Sequence, residues 1–258
     1  MLEAKVNGIS LVFERRGKGR PLVLLHGYPL DHSTMKTLSP LLEQDFDLIM
    51  PDLRGFGESQ VVPGGFAMAD CAADVAGLLD HLNIVKTSIA GHSMGGYVAL
   101  AFLRAYPERV LGLGLISSQA LADAPERKAG RYQEAEAILT NGVKEVAENM
   151  PRKLTAKPDL QGWLKKLIMR QRPEGLAGAL QAMAERPDST SLFAGFDHPI
   201  VLVHGIADGL IPIERARAVK AVVPTANLTE IPDVGHMTMM EAPQKTADAI
   251  RELLLPAS

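Results

Sequence analysis

The stretch Thr87-Ser88-Ile89-Ala90-Gly91-His92-Ser93-Met94-Gly95-Gly96-Tyr97 decides the fold. Thr87 to Ala90 has the small and apolar character of a buried strand, and helical patterning begins near Tyr97 and runs to Tyr106. Between them stands G-x-S-x-G, a pattern that in a strand, turn, helix context holds a serine on a sharp turn at the C-terminal edge of a sheet. Such a turn strains the serine backbone and needs small residues two positions to either side. Gly91 and Gly95 meet that need. The Ser93 hydroxyl is then expected to project above the sheet, where the N-terminus of the following helix turns N–H groups and a positive dipole end toward developing negative charge. The Met94 N–H is one expected oxyanion donor.

Outward from this turn, Leu22–Leu25, Phe46–Met50, Val110–Ile116, Ile200–Val203 and Leu228–Ile231 are short runs rich in Val, Ile and Leu, bounded by turn residues. Apolar runs without alternation suit strands covered on both faces, as in a parallel sheet. Amphipathic stretches lie among them: 66–82, 94–106, 212–223 and 243–254. Strand and helix in alternation imply an α/β fold, a mostly parallel twisted sheet with helices on both faces. Residues 4–7 and 9–16 flank Gly8 and predict an antiparallel hairpin at the sheet edge. From Gln119 to Gly195 the alternation stops and only helical patterning remains, at 132–139, 143–150, 160–170 and 173–185. We therefore expect residues 1–118 and 196–258 to form the sheet-and-helix core and residues 119–195 a helical cap.

The composition excludes several classes. The chain has 258 residues, with 27 Lys and Arg against 30 Asp and Glu, a formal charge of −3. It has no run of basic residues longer than two, which argues against nucleic-acid binding. A hydrophobic share of 47% with 22% charged residues fits a soluble globular protein. Cys71 is the only cysteine, so an intrachain disulfide or a cysteine-based zinc cluster is impossible, and a small buried apolar role is expected for it. Met1 to Val12 interleaves Glu3, Lys5 and Asn7 with apolar residues, unlike a signal peptide or a membrane span, so a cytoplasmic protein is expected.

A serine nucleophile needs a base, and the base needs an orienting carboxylate. Of the seven histidines, His81 falls in a helix, His92 inside the turn and directed away from the reacting centre, and His198 before Pro199. His32 could approach the site but has no evident partner. His204 ends a strand whose next turn carries Asp208. His236 follows the last strand, in a loop at the same sheet edge as Ser93. Asp208 also follows a strand end, with Pro212 opening the next helix. Ser93, Asp208 and His236 are thus the candidate nucleophile, acid and base. Tyr28, in His26-Gly27-Tyr28-Pro29 directly after the strand 22–25, supplies the second candidate oxyanion N–H; a missing donor costs about 10² to 10³ in turnover.

These residues resemble the α/β-hydrolase superfamily over nearly the whole chain. The resemblance rests on His26 to Pro29, Asp52-Leu53-Arg54-Gly55-Phe56-Gly57-Glu58-Ser59, the turn around Ser93, Gly205 to Pro212, and Gly235-His236 with Glu241-Ala242-Pro243. It implies the same serine, acid and histidine, with the Tyr28 and Met94 backbone in the oxyanion hole, and a structural role for 52–59. Serine at the turn argues against the haloalkane dehalogenases and soluble epoxide hydrolases, which use a carboxylate there. The stretch 172–186 is similar to the cap of small carboxylesterases and enol-lactonases. The resemblance therefore implies hydrolysis of small-molecule carboxylic esters through an acyl-enzyme, without metal or organic cofactor. Lactone or enol-lactone hydrolysis, cofactor-free haloperoxidase or perhydrolase chemistry, carbon–carbon bond hydrolysis and a hydrolase-derived receptor stay open, as does a homo-oligomer. Arg131, Arg152, Lys153, Lys165, Lys166, Arg170 and Arg172 are candidate cations for a dicarboxylate lactone, although most of them read as solvated helix faces. Met150, Trp163, Leu167, Met169 and Met183 suggest an apolar pocket or a cap core.

Overall fold

The computed structural model describes residues 1–254. Its strands are β1 (Leu2–Val6), β2 (Ile9–Arg16), β3 (Arg20–Leu25), β4 (Phe46–Pro51), β5 (Thr87–His92), β6 (Val110–Ile116), β7 (Ile200–Gly205) and β8 (Asn227–Ile231). They form a single sheet in the order β1-β2-β4-β3-β5-β6-β7-β8. β1 and β2 make the expected edge hairpin, turning at Asn7 and Gly8, both at positive φ, as a two-residue hairpin turn requires. β2 joins β4 antiparallel and the remaining pairs are parallel.

The helices are α1 (Ser39–Leu42), α2 (Met68–His81), α3 (Met94–Ala105), α4 (Pro125–Asn141), α5 (Lys144–Leu154), α6 (Pro158–Ile168), α7 (Pro173–Glu185), α8 (Glu214–Val222), α9 (Thr238–Glu241) and α10 (Pro243–Arg251). The two faces of the sheet can be read along single strands, because successive side chains point to opposite sides. Val23, Leu25 and Ile89 pack with Val75 and Leu79 of α2, Val98 and Phe102 of α3 and Val219 of α8. Leu22, Leu24 and Ala90 pack on the other side with Leu42 of α1 and Ala247 and Ile250 of α10. Strands without polar alternation are thereby buried twice. α3 begins at Met94, directly after Ser93, and not near Tyr97; the tight turn occupies a single residue.

Among the described residues no strand lies between β6 and β7. The segment holds α4 to α7, with α4 lying against α7 and α5 against α6. Leu164, Leu167 and Ile168 of α6 and Leu154 of α5 are buried with Met237 and Met239, which follow His236. The helices thus rest on the loop edge that carries the candidate base. Arg172, at the start of α7, donates to the carbonyls of Gly57 at 3.0 Å and Ser59 at 2.6 Å.

Candidate active site

Ser93 is held at φ 51° and ψ −114°, a left-handed backbone that a non-glycine residue adopts only where its surroundings over-determine it. Three contacts do so. Its N–H donates to the Ile116 carbonyl at 2.9 Å, and its carbonyl accepts from Gly96 N at 2.9 Å and from Ser118 Oγ at 2.8 Å. The glycines permit this approach. A Cβ on Gly91 would sit 2.1 Å from the Gly95 carbonyl, and one on Gly95 would sit 2.5 Å from the Leu25 carbonyl oxygen. Met94 is the first residue of α3, so its N–H has no carbonyl a turn earlier to bond.

Ser93, His236 and Tyr28 line one pocket of about 250 Å³ at the C-terminal edge of the sheet. Asp208 stands behind His236, its Oδ2 2.7 Å from His236 Nδ1. With Nδ1 donating to a carboxylate, Nε2 of the neutral ring is left as the proton acceptor. Burial alone would raise the Asp208 carboxyl, but hydrogen bonds from His204, His236 and the Ile211 N–H outweigh it and hold the group well below the usual carboxylate range. Asp208 is therefore an anion beside His236.

Two further histidines, His92 and His204, support this arrangement. His92 Nε2 meets the His236 carbonyl at 3.0 Å, and the two rings lie 4.7 Å apart. Burial lowers the His92 imidazole far below its ordinary range, so the neutral ring donates one proton to that carbonyl. His204 Nε2 lies 2.7 Å from the Ile211 carbonyl and 3.3 Å from Asp208 Oδ2. His32 also has a partner after all: Asp52 Oδ1, 2.6 Å from His32 Nδ1. Asp52 further accepts from Glu58 N at 3.0 Å, and Arg54 forks onto buried Asp74 at 2.6 and 2.7 Å. Every polar group of 52–59 named here is used to hold the loop, as a structural role requires. Burial pushes the Cys71 thiol up, which keeps it an uncharged apolar neighbour.

The pocket walls differ from expectation. Of the seven candidate cations only Arg131 lines the Ser93 pocket. Lys165 is paired with Glu148, Arg170 lies 3.8 Å from Asp31, and Arg172 holds the 52–59 loop. Arg127 and Arg215, absent from that set, line the pocket together with Asp123 and Gln119. Met150 and Met183 line it too, whereas Trp163 and Met169 are exposed and Leu167 is buried on the inner face of α6. No periodicity marks Arg215; only the fold brings the start of α8 to the serine.

Residues 22–249 match the profile of the alpha/beta hydrolase family. The chain belongs to this family. A thermophilic esterase from Thermogutta terrifontis, solved with malate bound, superposes with a TM-score of 0.93 at 39% identity, over 98% of this chain and 97% of that one. The dihydrolipoyllysine-residue acetyltransferase component of the acetoin cleaving system of Pseudomonas putida is 33% identical over 94% of this chain, which spans 66% of that protein. A soluble epoxide hydrolase of Corynebacterium sp. is 40% identical over 109 residues, 42% of this chain and 37% of that one. This alpha/beta hydrolase carries Ser93, not a carboxylate, at the sharp turn. Among the described residues no helix is long and apolar enough to cross a membrane.

Proposed function

We propose that this alpha/beta hydrolase is a carboxylic ester hydrolase of small molecules, acting through Ser93, His236 and Asp208. One observation carries the reading: Ser93 and His236 share a pocket while the Asp208 anion accepts a hydrogen bond from His236 Nδ1. Ser93 Oγ attacks the ester carbonyl carbon as its proton passes to His236 Nε2. The oxyanion is met by the Tyr28 and Met94 N–H groups. As the carbonyl re-forms, the C–O bond to the alcohol breaks and His236 returns the proton to the leaving oxygen. Water then cleaves the acyl-enzyme by the same steps in reverse order. A lactone would be opened by the same atoms, its leaving oxygen staying tethered. Residues 119–195 act as a cap in this scheme, since Asp123, Arg127, Arg131, Met150 and Met183 close the pocket above the serine.

The test is Ser93→Ala. Hydrolysis of p-nitrophenyl esters should fall by at least about 10⁴-fold, with circular dichroism unchanged, and a fluorophosphonate should label the wild type and not the variant. Retained hydrolysis by folded S93A would sink the reading.

A further inference from the structure

The Ser93 pocket carries more positive charge than its fold uses. Arg127, Arg131 and Arg215 line it, and Asp123 is the only acidic residue among the lining groups. Arg131 and Asp123 are buried, with side-chain exposures of 8% and 4%. Asp123 is shared. Its Oδ2 accepts from Arg131 Nε, and its Oδ1 accepts from Arg186 at 2.7 Å. Two guanidinium groups with one carboxylate leave a net positive charge in a buried cluster, an arrangement that costs free energy unless another anion completes it.

The two arginines differ in what remains free. Both terminal nitrogens of Arg186 are engaged away from the substrate space: Nη1 donates to the Met183 carbonyl at 2.7 Å and Nη2 to the Leu121 carbonyl at 3.0 Å, the group lies over the Tyr97 ring, 4.1 Å from its centroid, and only its buried Nε has no partner. Arg131 reaches Asp123 through Nε only, and its NH1 meets Met183 Sδ at 3.3 Å, a weak thioether acceptor. Its outer edge is thus a fixed guanidinium fork in the serine pocket, with no strong acceptor on NH1. Forks of this kind bind carboxylates with two parallel hydrogen bonds. Nearer the surface, Arg127 pairs with exposed Glu134 at 3.1 Å, while Arg215 is exposed and forms no ion pair among the described residues. The adjoining cavity of about 460 Å³ sets Glu134 and Glu145 against Arg127 and Lys153, so the excess is confined to the serine pocket.

We infer that the preferred substrates are small esters bearing a free carboxylate, seated on Arg131 and drawn in by Arg215 and Arg127. This rests on the ester-hydrolase reading and narrows it. The carboxylate belongs to the acyl half or to the alcohol half, and the test has an arm for each.

Monomethyl succinate is compared with dimethyl succinate, and acetoxyacetic acid with its methyl ester, by titrimetric kcat/KM. In one arm the free acid should be preferred by about tenfold or more, the worth of a charge-assisted hydrogen bond, chiefly through KM. Arg131→Gln should lower that preference about tenfold. Arg215→Gln, on an exposed helix that tolerates change, should lower it less and flatten its dependence on salt. Neutral esters cleaved as well as the acids in both arms would overturn the inference. So would an unchanged preference in folded R131Q, or, should R131Q fail to fold, in R215Q. If neither ester is cleaved, the hydrolase reading fails separately, and calorimetry with succinate decides: binding to the wild type that is lost in R131Q keeps the carboxylate seat, and no binding to the wild type, or binding unchanged in R131Q, removes it.

Discussion

His204 Nε2 lies 3.3 Å from Asp208 Oδ2, the same oxygen that meets His236 Nδ1 at 2.7 Å. The other carboxylate oxygen accepts from Leu210 N at 2.8 Å and Ile211 N at 3.0 Å. Because His204 Nε2 also meets the Ile211 carbonyl, a group that only accepts, Nε2 bears the hydrogen and shares it with Asp208. Asp208 is thus aimed at His236 by donors from its own loop and from the end of β7.

His204→Phe keeps the bulk and removes the donor. As a positioning residue, His204 should affect kcat and leave KM near its original value: we expect kcat to fall about tenfold, with part regained in His204→Gln, whose amide can donate. Steady-state kinetics on one p-nitrophenyl ester checks this. Equal kcat in H204F would deny the role.

The depressed Asp208 carboxyl bears on pH in two ways. In activity, Asp208 should add no proton to the acid limb of log kcat/KM above about pH 4. In stability, the unfolded carboxyl titrates near 3.9 and the folded one lower, so the folded state binds fewer protons between the two values. That contribution is complete above the unfolded value and is lost as pH falls through the folded one. Urea midpoints of the wild type should therefore drop below about pH 4, and those of Asp208→Asn should drop less. Parallel profiles would refute the assignment.

A methyl group at Gly91 cannot be absorbed by rotating a side chain, because what it meets is the backbone of Gly95 and Gly96 at 2.1 and 2.4 Å. Gly91→Ala should cost about 2 kcal/mol or more by urea unfolding, and kcat should fall with it, since the turn that aims Ser93 must open. Gly130→Ala is the control: a Cβ there meets nothing within 4 Å. A Gly91→Ala protein as stable as G130A would mean the turn is looser than these contacts imply.

The centre of the sheet was legible because β3 to β7 are apolar runs largely buried on both faces, and burial on two sides leaves a local mark in sequence. Ser93 was legible for a related reason: Gly91 and Gly95 record a close backbone approach, which only glycine permits. The pocket walls were not. Arg215 and Arg127 look like the other exposed helix cations until β7 and α4 bring them to the same serine, a long-range juxtaposition with no local pattern. His32 looked unpartnered since the pairing of β3 with β4 brings the segments that follow them, and with these His32 and Asp52, to one sheet edge, which sequence spacing does not show. The partner of His92 was not legible either, because its place beside the turn does not reveal the His236 carbonyl that orders it.

Arg54 and Asp74 are the polar pair on which the 52–59 loop depends. Both hydrogen bonds of the fork are shorter than 2.8 Å, and the side chains are 10% and 1% exposed. Asp74 Oδ1 also accepts from Asn7 Nδ2 at 3.2 Å, so the same carboxylate ties the β1–β2 turn to α2. Removing one partner of a buried pair leaves the other charge unmet, which costs more than the pair itself contributes. Asp74→Ala should therefore lose about 3 to 5 kcal/mol of stability, read as a lowered urea midpoint, while kcat per folded molecule changes little. Arg54→Met with Asp74→Leu should recover part of the loss, because neither charge is then buried alone. If the double variant were less stable than D74A, the pair would have to be stabilising in its own right, and the desolvation argument for this loop would be wrong.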